Sequence, residues 1–407
     1  MMAKRMVLSL LPTGFLAVSL CAVATSAPAK VPQDKSPAAA IAAAVQPFVD
    51  RQELAGAVML VATKDKVLSL SAVGWADVAA GKPMRADALF WIASQSKPIT
   101  AAALMILVDE GKVALDDPVE KYLPEFKGQM VLAEKDANHV LLRKPAHPIT
   151  VRNILSHTSG LAFCSPVEEP TLDGLPLRTC ILSYAALPLV FEPDSRYLYS
   201  NEGINTAGRI IEVVSGMTYE RFMDERLFKP LGMKDTTFWP DEAQVARLAK
   251  AYKPGPGGKG LVEMPIAQLR YPLTDRAARF PMPGGGLFST AGDMARFFRM
   301  VFNGGQLDGR RYLSEAAVSQ MTSRQTPKNL KESYGLGWSV GETSYGHGGA
   351  LSTNATIEPQ QGMVFIWLVQ HAGFPGDGKK AQDAFRKAAV DAFAPRAAGP
   401  ATKPAAP

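Results

Sequence analysis

The stretch WIASQSKPIT, residues 91–100, places two serines, Ser94 and Ser96, just ahead of Lys97 and Pro98. Ser94-Gln95-Ser96-Lys97 is the one S-x-x-K in the chain. At about 100° per residue, positions i and i+3 share a helix face, so the Ser94 and Lys97 side chains can meet. Ser96, adjacent to Lys97, points elsewhere. Proline is tolerated only near a helix start, so Pro98 puts Ser94 at or near an N-terminus. The helix dipole there disfavours a lysine cation. Burial beside ALMILV (103–108) pushes the same way, down from the ordinary value of about 10.4. A lysine made partly neutral is a base able to activate a serine. Taken alone, the motif also fits a plain helix start.

The flanking sequence frames this pair. SPAAAIAAAVQPFVDRQE (36–53) reads as a helix with Ser36 as N-cap and Pro37 first inside. Residues 55–77 read as two β-strands around a Lys64-Asp65-Lys66 turn. TAAALMILVDEG (100–111) is an apolar helix ended by Gly111. Asp117-Pro118 opens another short helix. From about 120 to 280 the pattern is helices, prolines and long loops, with little strand signal. GGGLFSTAGDMARFFRMVF (284–302) gives a glycine turn and then a capping-box-like start at Thr290 and Asp293. Residues 334–370 read as several strands, and 379–394 as a closing amphipathic helix. Strands joined by short turns point to an antiparallel sheet. The expected fold is therefore α+β: an antiparallel sheet flanked by N- and C-terminal helices, with an inserted, mainly helical domain. The expected division is a sheet-bearing part, 37–93 and 285–395, and a helical part, 94–284. The cleft between them is the default active site.

The chain has 407 residues and a net charge of +6. No basic block accompanies that mild excess, which gives nucleic-acid binding no support. The first 29 residues read as a signal peptide: Lys4 and Arg5, an apolar run, then small residues at AVATSAPA. An uncleaved anchor is the alternative; lipidation at Cys21 is opposed by the large Leu20 before it. Export to a periplasm would leave no membrane span. Cys164 and Cys180 remain, and in an oxidising space they would either close a disulfide or stay as two thiols. Residues 396–407 read as a disordered tail.

Two further motifs lie downstream. Tyr199-Ser200-Asn201 is the one Y-x-N. A phenol near a lysine can lose or relay a proton, and an amide can hold a substrate carbonyl; a buried tyrosine beside a helix cap is the plainer reading. His347-Gly348-Gly349 sits in strand-like sequence, where glycines admit a ligand close to the backbone. The N–H that follows can donate to an oxyanion. A turn histidine beside flexible glycines is the plainer reading here.

The order S-x-x-K, Y-x-N, H-x-G resembles the serine β-lactamase and penicillin-binding-protein superfamily. It looks most like the branch holding class C β-lactamases, D-alanyl-D-alanine carboxypeptidases, D-aminopeptidases and related esterases. The likeness extends over residues 38–395 and includes ITVRNILSHTSGL, PDSRYLYSN, LFKPLGMKDTTF, GGGLFSTAGDM and YGLGWSV. The resemblance implies that Ser94 is the acylated nucleophile, Lys97 its base and Tyr199 the proton shuttle. It further implies that Asn201 lines the acyl pocket and that His347 stands where the family has lysine or histidine. Gly349 would border the substrate, and the N–H groups of Ser94 and Ala350 would form the oxyanion hole. No metal or organic cofactor is implied. Five histidines without H-E-x-x-H agree.

The departure is the missing K-T-G of class C lactamases, since H-x-G is more typical of family peptidases and esterases. The expected substrates are esters, D-amino-acid amides or peptides, including cell-wall peptides, and β-lactams. A class C-type lactamase or D-alanyl-D-alanine carboxypeptidase is one alternative, and a non-catalytic binding module is another. GPGGKG (255–260) lacks the Ser or Thr of a phosphate loop and reads as surface loop. No G-x-S-x-G elbow occurs. His157 reads as structural, and His139, His147 and His371 as solvated or loop residues.

Overall fold

The computed structural model describes residues 36–394. The expected signal peptide and C-terminal tail lie outside the described residues.

The sheet-forming strands are β1 (Gly56–Ala62), β2 (Val67–Asp77), β3 (Lys82–Pro83), β4 (Ser339–Val340), β5 (Tyr345–Gly348), β6 (Asn354–Glu358) and β7 (Met363–Leu368). They form one antiparallel sheet in the order β4-β5-β6-β7-β1-β2-β3. The two ends of the chain thus meet at its centre, where Leu60 pairs with Ile366. Both central strands are apolar at every position, and both are buried on both faces. Side chains alternate across a strand. Ala57, Met59, Val61, Phe365 and Trp367 therefore face one core, and Val58, Leu60, Val364 and Ile366 face another.

Helices cover both faces. The first core is closed by α1 (Pro37–Asp50) and by the C-terminal helix Ala381–Phe393. Ser36 caps α1, its side chain accepting from Ala39 N. The second core contains α2 (Ser96–Asp109), whose residues 96–107 are all buried. It continues without a break into α3 (Val151–Ser156), α4 (Leu177–Ala186), α5 (Asn201–Ser215) and α6 (Ala291–Phe302). The C-terminal helix 381–393 is α7. The α2 pillar is thus fixed against both sheet and helices, which holds its N-terminal end rigidly.

Several sequence expectations change. Thr290 caps α6 through Asp293 N, but the Asp293 carboxylate turns away to Asp235 N (2.7 Å) and Thr236 Oγ1 (2.9 Å), so the capping box is half-made. Asp117-Pro118 yields one short 3₁₀ turn, Val119–Lys121. Within 120–280 two hairpins appear, Val131–Lys135 with Val140–Arg143 and Ala251–Pro254 with Leu261–Met264. Their strands are short and largely exposed, so burial imposes no clear alternation to read. GPGGKG is the turn of the second hairpin, closed by Gly255 N donating to Gly260 O. Cys164 and Cys180 are both free thiols. Cys180 lies on the buried side of α4, its Sγ directed to the Leu175 carbonyl, and burial pushes it up to about 12. His371 is not solvated: it is fully buried, accepts from Ala55 N at 3.1 Å and stacks on Phe374.

Candidate active site

Ser94 sits on a single 3₁₀ turn, Ala93–Gln95, that runs straight into α2. The residue before it, Ala93, has φ +47°, a conformation that costs an L-residue energy and persists only when surroundings impose it. Here they do. Ile92 N donates to Leu287 O, Trp91 Nε1 to Gly285 O and Ser96 Oγ to Ala93 O. Ser96 Oγ also accepts from Leu287 N. Ser96 is therefore buried and fully occupied, whereas Ser94 is half-exposed at the turn's outer edge. Geometry separates the two serines.

Lys97 is entirely buried, and desolvation holds its ammonium well below the ordinary lysine range. Its Nζ lies 2.7 Å from Asn201 Oδ1, 2.7 Å from Gly284 O and 3.1 Å from Ser94 Oγ. Two of these partners can only accept. A neutral amine has two N–H donors and one lone pair; the two oxygens take both donors, and the lone pair is left facing the Ser94 hydroxyl. Burial neutralises Lys97, and the two acceptors aim it.

Tyr199 and Asn201 flank Ser200, the N-cap of α5, whose Oγ accepts from Gly203 N at 3.0 Å. The segment is clamped from the end of α3. His157 stands there with φ +62° and accepts from Ser200 N through Nδ1 at 3.1 Å, and its ring packs 4.6 Å from Tyr199. Its structural reading thus gains a specific object, the backbone that carries Tyr199. The Tyr199 side chain faces Ser94, whose hydroxyl acts on it against the effect of burial. Burial raises its pKa above the ordinary phenol value, so it keeps its proton. Lys97 Nζ lies over the ring face, 4.5 Å from the centroid, rather than beside the hydroxyl.

His347 lies on β5, buried, with Nδ1 2.6 Å from Gly348 O and Nε2 2.9 Å from Tyr334 Oη. Nδ1–H donates to the carbonyl, which leaves Nε2 to accept from the phenol. Desolvation, then the nearby Lys97, push the imidazole down to about 3, so it is neutral across the physiological range. Beyond His347, Gly349 N donates to Thr353 O at 2.7 Å. A Cβ on Gly349 would stand 2.5 Å from Ile92 O, so glycine lets this strand end touch the turn bearing Ser94. Ala350, next along, is exposed.

Two contributors were not singled out by sequence. Gly284 gives Lys97 its carbonyl, takes a bond from its own N–H to Asn205 Oδ1 (3.0 Å), and has no room for a side chain: a Cβ would lie 2.8 Å from Asn201 Oδ1. The glycine run at 284–286 is its only sequence signal. Tyr334 holds His347 and packs 4.6 Å from His157; it opens the YGLGWSV stretch without a motif of its own.

A β-lactamase family model matches residues 41–389. Protein Rv1367c of Mycobacterium tuberculosis is 34% identical over 370 residues, covering 81% of this chain and 89% of that protein. Esterase EstB of Burkholderia gladioli is 31% identical over 291 residues, covering 65% of this chain and 71% of EstB. Among solved structures, EstCE1, a hydrolase with promiscuous acyltransferase activity, superposes with a TM-score of 0.71 at 25% identity, covering 87% of this chain and 98% of that one.

Proposed function

The chain belongs to the β-lactamase family and is a serine hydrolase, and from that premise we propose that it forms its acyl-enzyme at Ser94 and acts first on uncharged esters. The observation that carries the assignment is the Lys97 amine. Its two N–H groups are committed to Asn201 and Gly284, and Ser94 lies 3.1 Å away. Ser94 Oγ attacks the acyl carbonyl as Lys97 Nζ takes its proton. The N–H groups of Ser94 and Ala350 receive the developing oxyanion. Tyr199, protonated and facing Ser94, passes a proton to the leaving oxygen or nitrogen and then draws one from the water that attacks the acyl group, while Lys97 returns its proton to Ser94 Oγ as the acyl bond breaks. Asn201 borders the acyl pocket while holding Lys97. His347 and Gly349 form the wall along β5.

Esters, D-amino-acid amides or peptides and β-lactams all present an acyl carbonyl. The last two classes often carry a carboxylate, which calls for a cation. His347 stands at the third motif without charge, and both its ring nitrogens are already bonded. That favours esters over β-lactams and over D-alanyl-D-alanine peptides. The N-terminal sequence supports export, and we place the enzyme in the periplasm; cell fractionation with N-terminal sequencing of the mature chain checks this.

The test combines a fluorophosphonate, a fluorescent penicillin and p-nitrophenyl acetate, on wild type and Ser94→Ala. Labelling and ester turnover that vanish in Ser94→Ala are expected, with the ester preferred to nitrocefin. Label that survives Ser94→Ala overturns the nucleophile. No label and no turnover in wild type would overturn the catalytic reading.

A further inference from the structure

Directly beneath Tyr199-Ser200-Asn201 lies a pair of buried carboxylates that the reaction above does not use. Glu202, the second residue of α5, is 1% exposed, and Glu168 is 3% exposed. Glu202 Oε2 accepts from Ala162 N at 3.1 Å, while Oε1 is buried without a hydrogen-bond partner. Glu168 is better served: Tyr184 Oη donates to one oxygen (2.6 Å) and Ser165 N to the other (2.8 Å). Among the described residues no lysine or arginine pairs with either. The other titratable groups facing the pair are the Cys164 thiol and Glu169 on the loop, and Tyr184 and the Cys180 thiol on α4. All of these are neutral or anionic.

This pair is tied to the reacting groups by short links. Ala162, which Glu202 holds, accepts from Ser200 Oγ, and the next carbonyl, Phe163 O, accepts from Asn201 N at 3.0 Å. The Phe163 ring lies along Tyr199, with centroids 6.3 Å apart. From Glu168 the chain of bonds runs through Tyr184 to Asn205 Nδ2 (3.0 Å), and Asn205 Oδ1 holds Gly284 N. The two acids thus brace both acceptors of Lys97, one through α5 and one through the glycine loop.

Two adjacent buried carboxylates cannot both ionise cheaply. Glu168, with two donors, keeps the charge; Glu202, with one donor and a bare oxygen, keeps the proton. We propose that Glu202 is a positioning residue for acyl transfer: protonated, it holds Tyr199 and Asn201 in register through Ala162, and ionised against Glu168 it loosens that segment. This rests on Ser94, Lys97 and Tyr199 being the reacting groups. Burial, then the Glu168 charge, raise Glu202 to about 7, which places the transition near neutrality.

The test is the pH profile of p-nitrophenyl acetate kcat/KM and of fluorophosphonate labelling of Ser94, taken from about pH 5 to about pH 9. Wild type is expected to lose rate above an inflection near 7. Glu202→Gln keeps an oxygen for Ala162 N and has no proton to lose, so that alkaline inflection disappears and the rate holds to higher pH. Glu168→Gln removes the neighbouring charge and moves the inflection to lower pH by roughly one unit. Superimposable profiles for wild type and Glu202→Gln, or an inflection unmoved in Glu168→Gln, overturn the inference. If Glu202→Gln does not fold, the direction of the Glu168→Gln shift decides alone. Labelling with unchanged profiles overturns this inference only; no labelling of wild type at any pH overturns the site as well.

Discussion

Gly284→Ala is a one-methyl change with a calculable consequence. The added Cβ would lie 2.8 Å from Asn201 Oδ1 and 3.2 Å from its Cγ. Neither side can yield easily. Gly284 is held through its N–H by Asn205 and through its carbonyl by Lys97, and Asn201 is the first residue of α5. The amide oxygen must move off the methyl, which disturbs its 2.7 Å bond to Lys97. A buried donor left unpaired costs about 1–3 kcal/mol. At about 1.36 kcal/mol per decade that is a loss of roughly 5- to 160-fold. The loss falls on kcat more than on KM, because the freed N–H rotates the lone pair off Ser94 without touching the substrate. The assay is steady-state hydrolysis of p-nitrophenyl acetate, with thermal unfolding to show that the fold survives. Activity within about twofold of wild type in a folded variant would refute the argument that two fixed acceptors aim the Lys97 lone pair.

Three other outcomes follow from the same geometry. Lys97→Arg keeps a cation that never loses its proton and should be inactive at every pH; the acid limb of wild-type kcat/KM should fall as pH drops through the depressed Lys97 value, because protonation removes the base. Recovery of the arginine variant at high pH would contradict this. Ser96→Ala removes the partner of Ala93 O and Leu287 N, and should lower stability by about 1–3 kcal/mol in denaturant melts while fluorophosphonate still labels Ser94. His347→Lys introduces a charge where the native imidazole is neutral, and should raise the nitrocefin-to-ester ratio of kcat/KM; an unchanged ratio would remove His347 from the substrate preference.

What the sequence disclosed and what it withheld divide along a physical line. The central strands were legible because burial on both faces leaves no position for a polar residue. α2 was legible for the same reason, and Ser94 and Lys97 because helical spacing is a local property. The hairpins within 120–280 were not, since strands of four and five residues, most of them largely exposed, carry no alternating burial pattern. His371 looked solvated because nothing beside it in the chain says that Ala55, 316 positions away, donates to it. Whether Cys164 and Cys180 pair stayed open because sequence distance is silent about Cys180 lying on the buried side of α4.

The site divides the same way. Groups that react must be side chains of particular chemistry, so they leave motifs: a serine, a lysine, a phenol. Groups that tune them need only place an oxygen or exclude one. In the proposed reaction the Lys97 lone pair is aimed at Ser94 because a backbone carbonyl 187 positions away takes one of its hydrogens, and any residue has a carbonyl. What marks Gly284 is the side chain it lacks, since only glycine fits against Asn201. Tyr199 offers the complementary case. A phenol near a lysine could either lose or relay a proton; Lys97 meets the ring face and burial raises the hydroxyl's pKa, which favours the relay. The pair therefore divides the work by environment, the amine stripped of its proton and the phenol made to keep its own. That division follows from burial acting with opposite sign on a cation and on an acid, and it is the ground on which the proposed reaction takes Lys97 as acceptor of the first proton and Tyr199 as donor of the second.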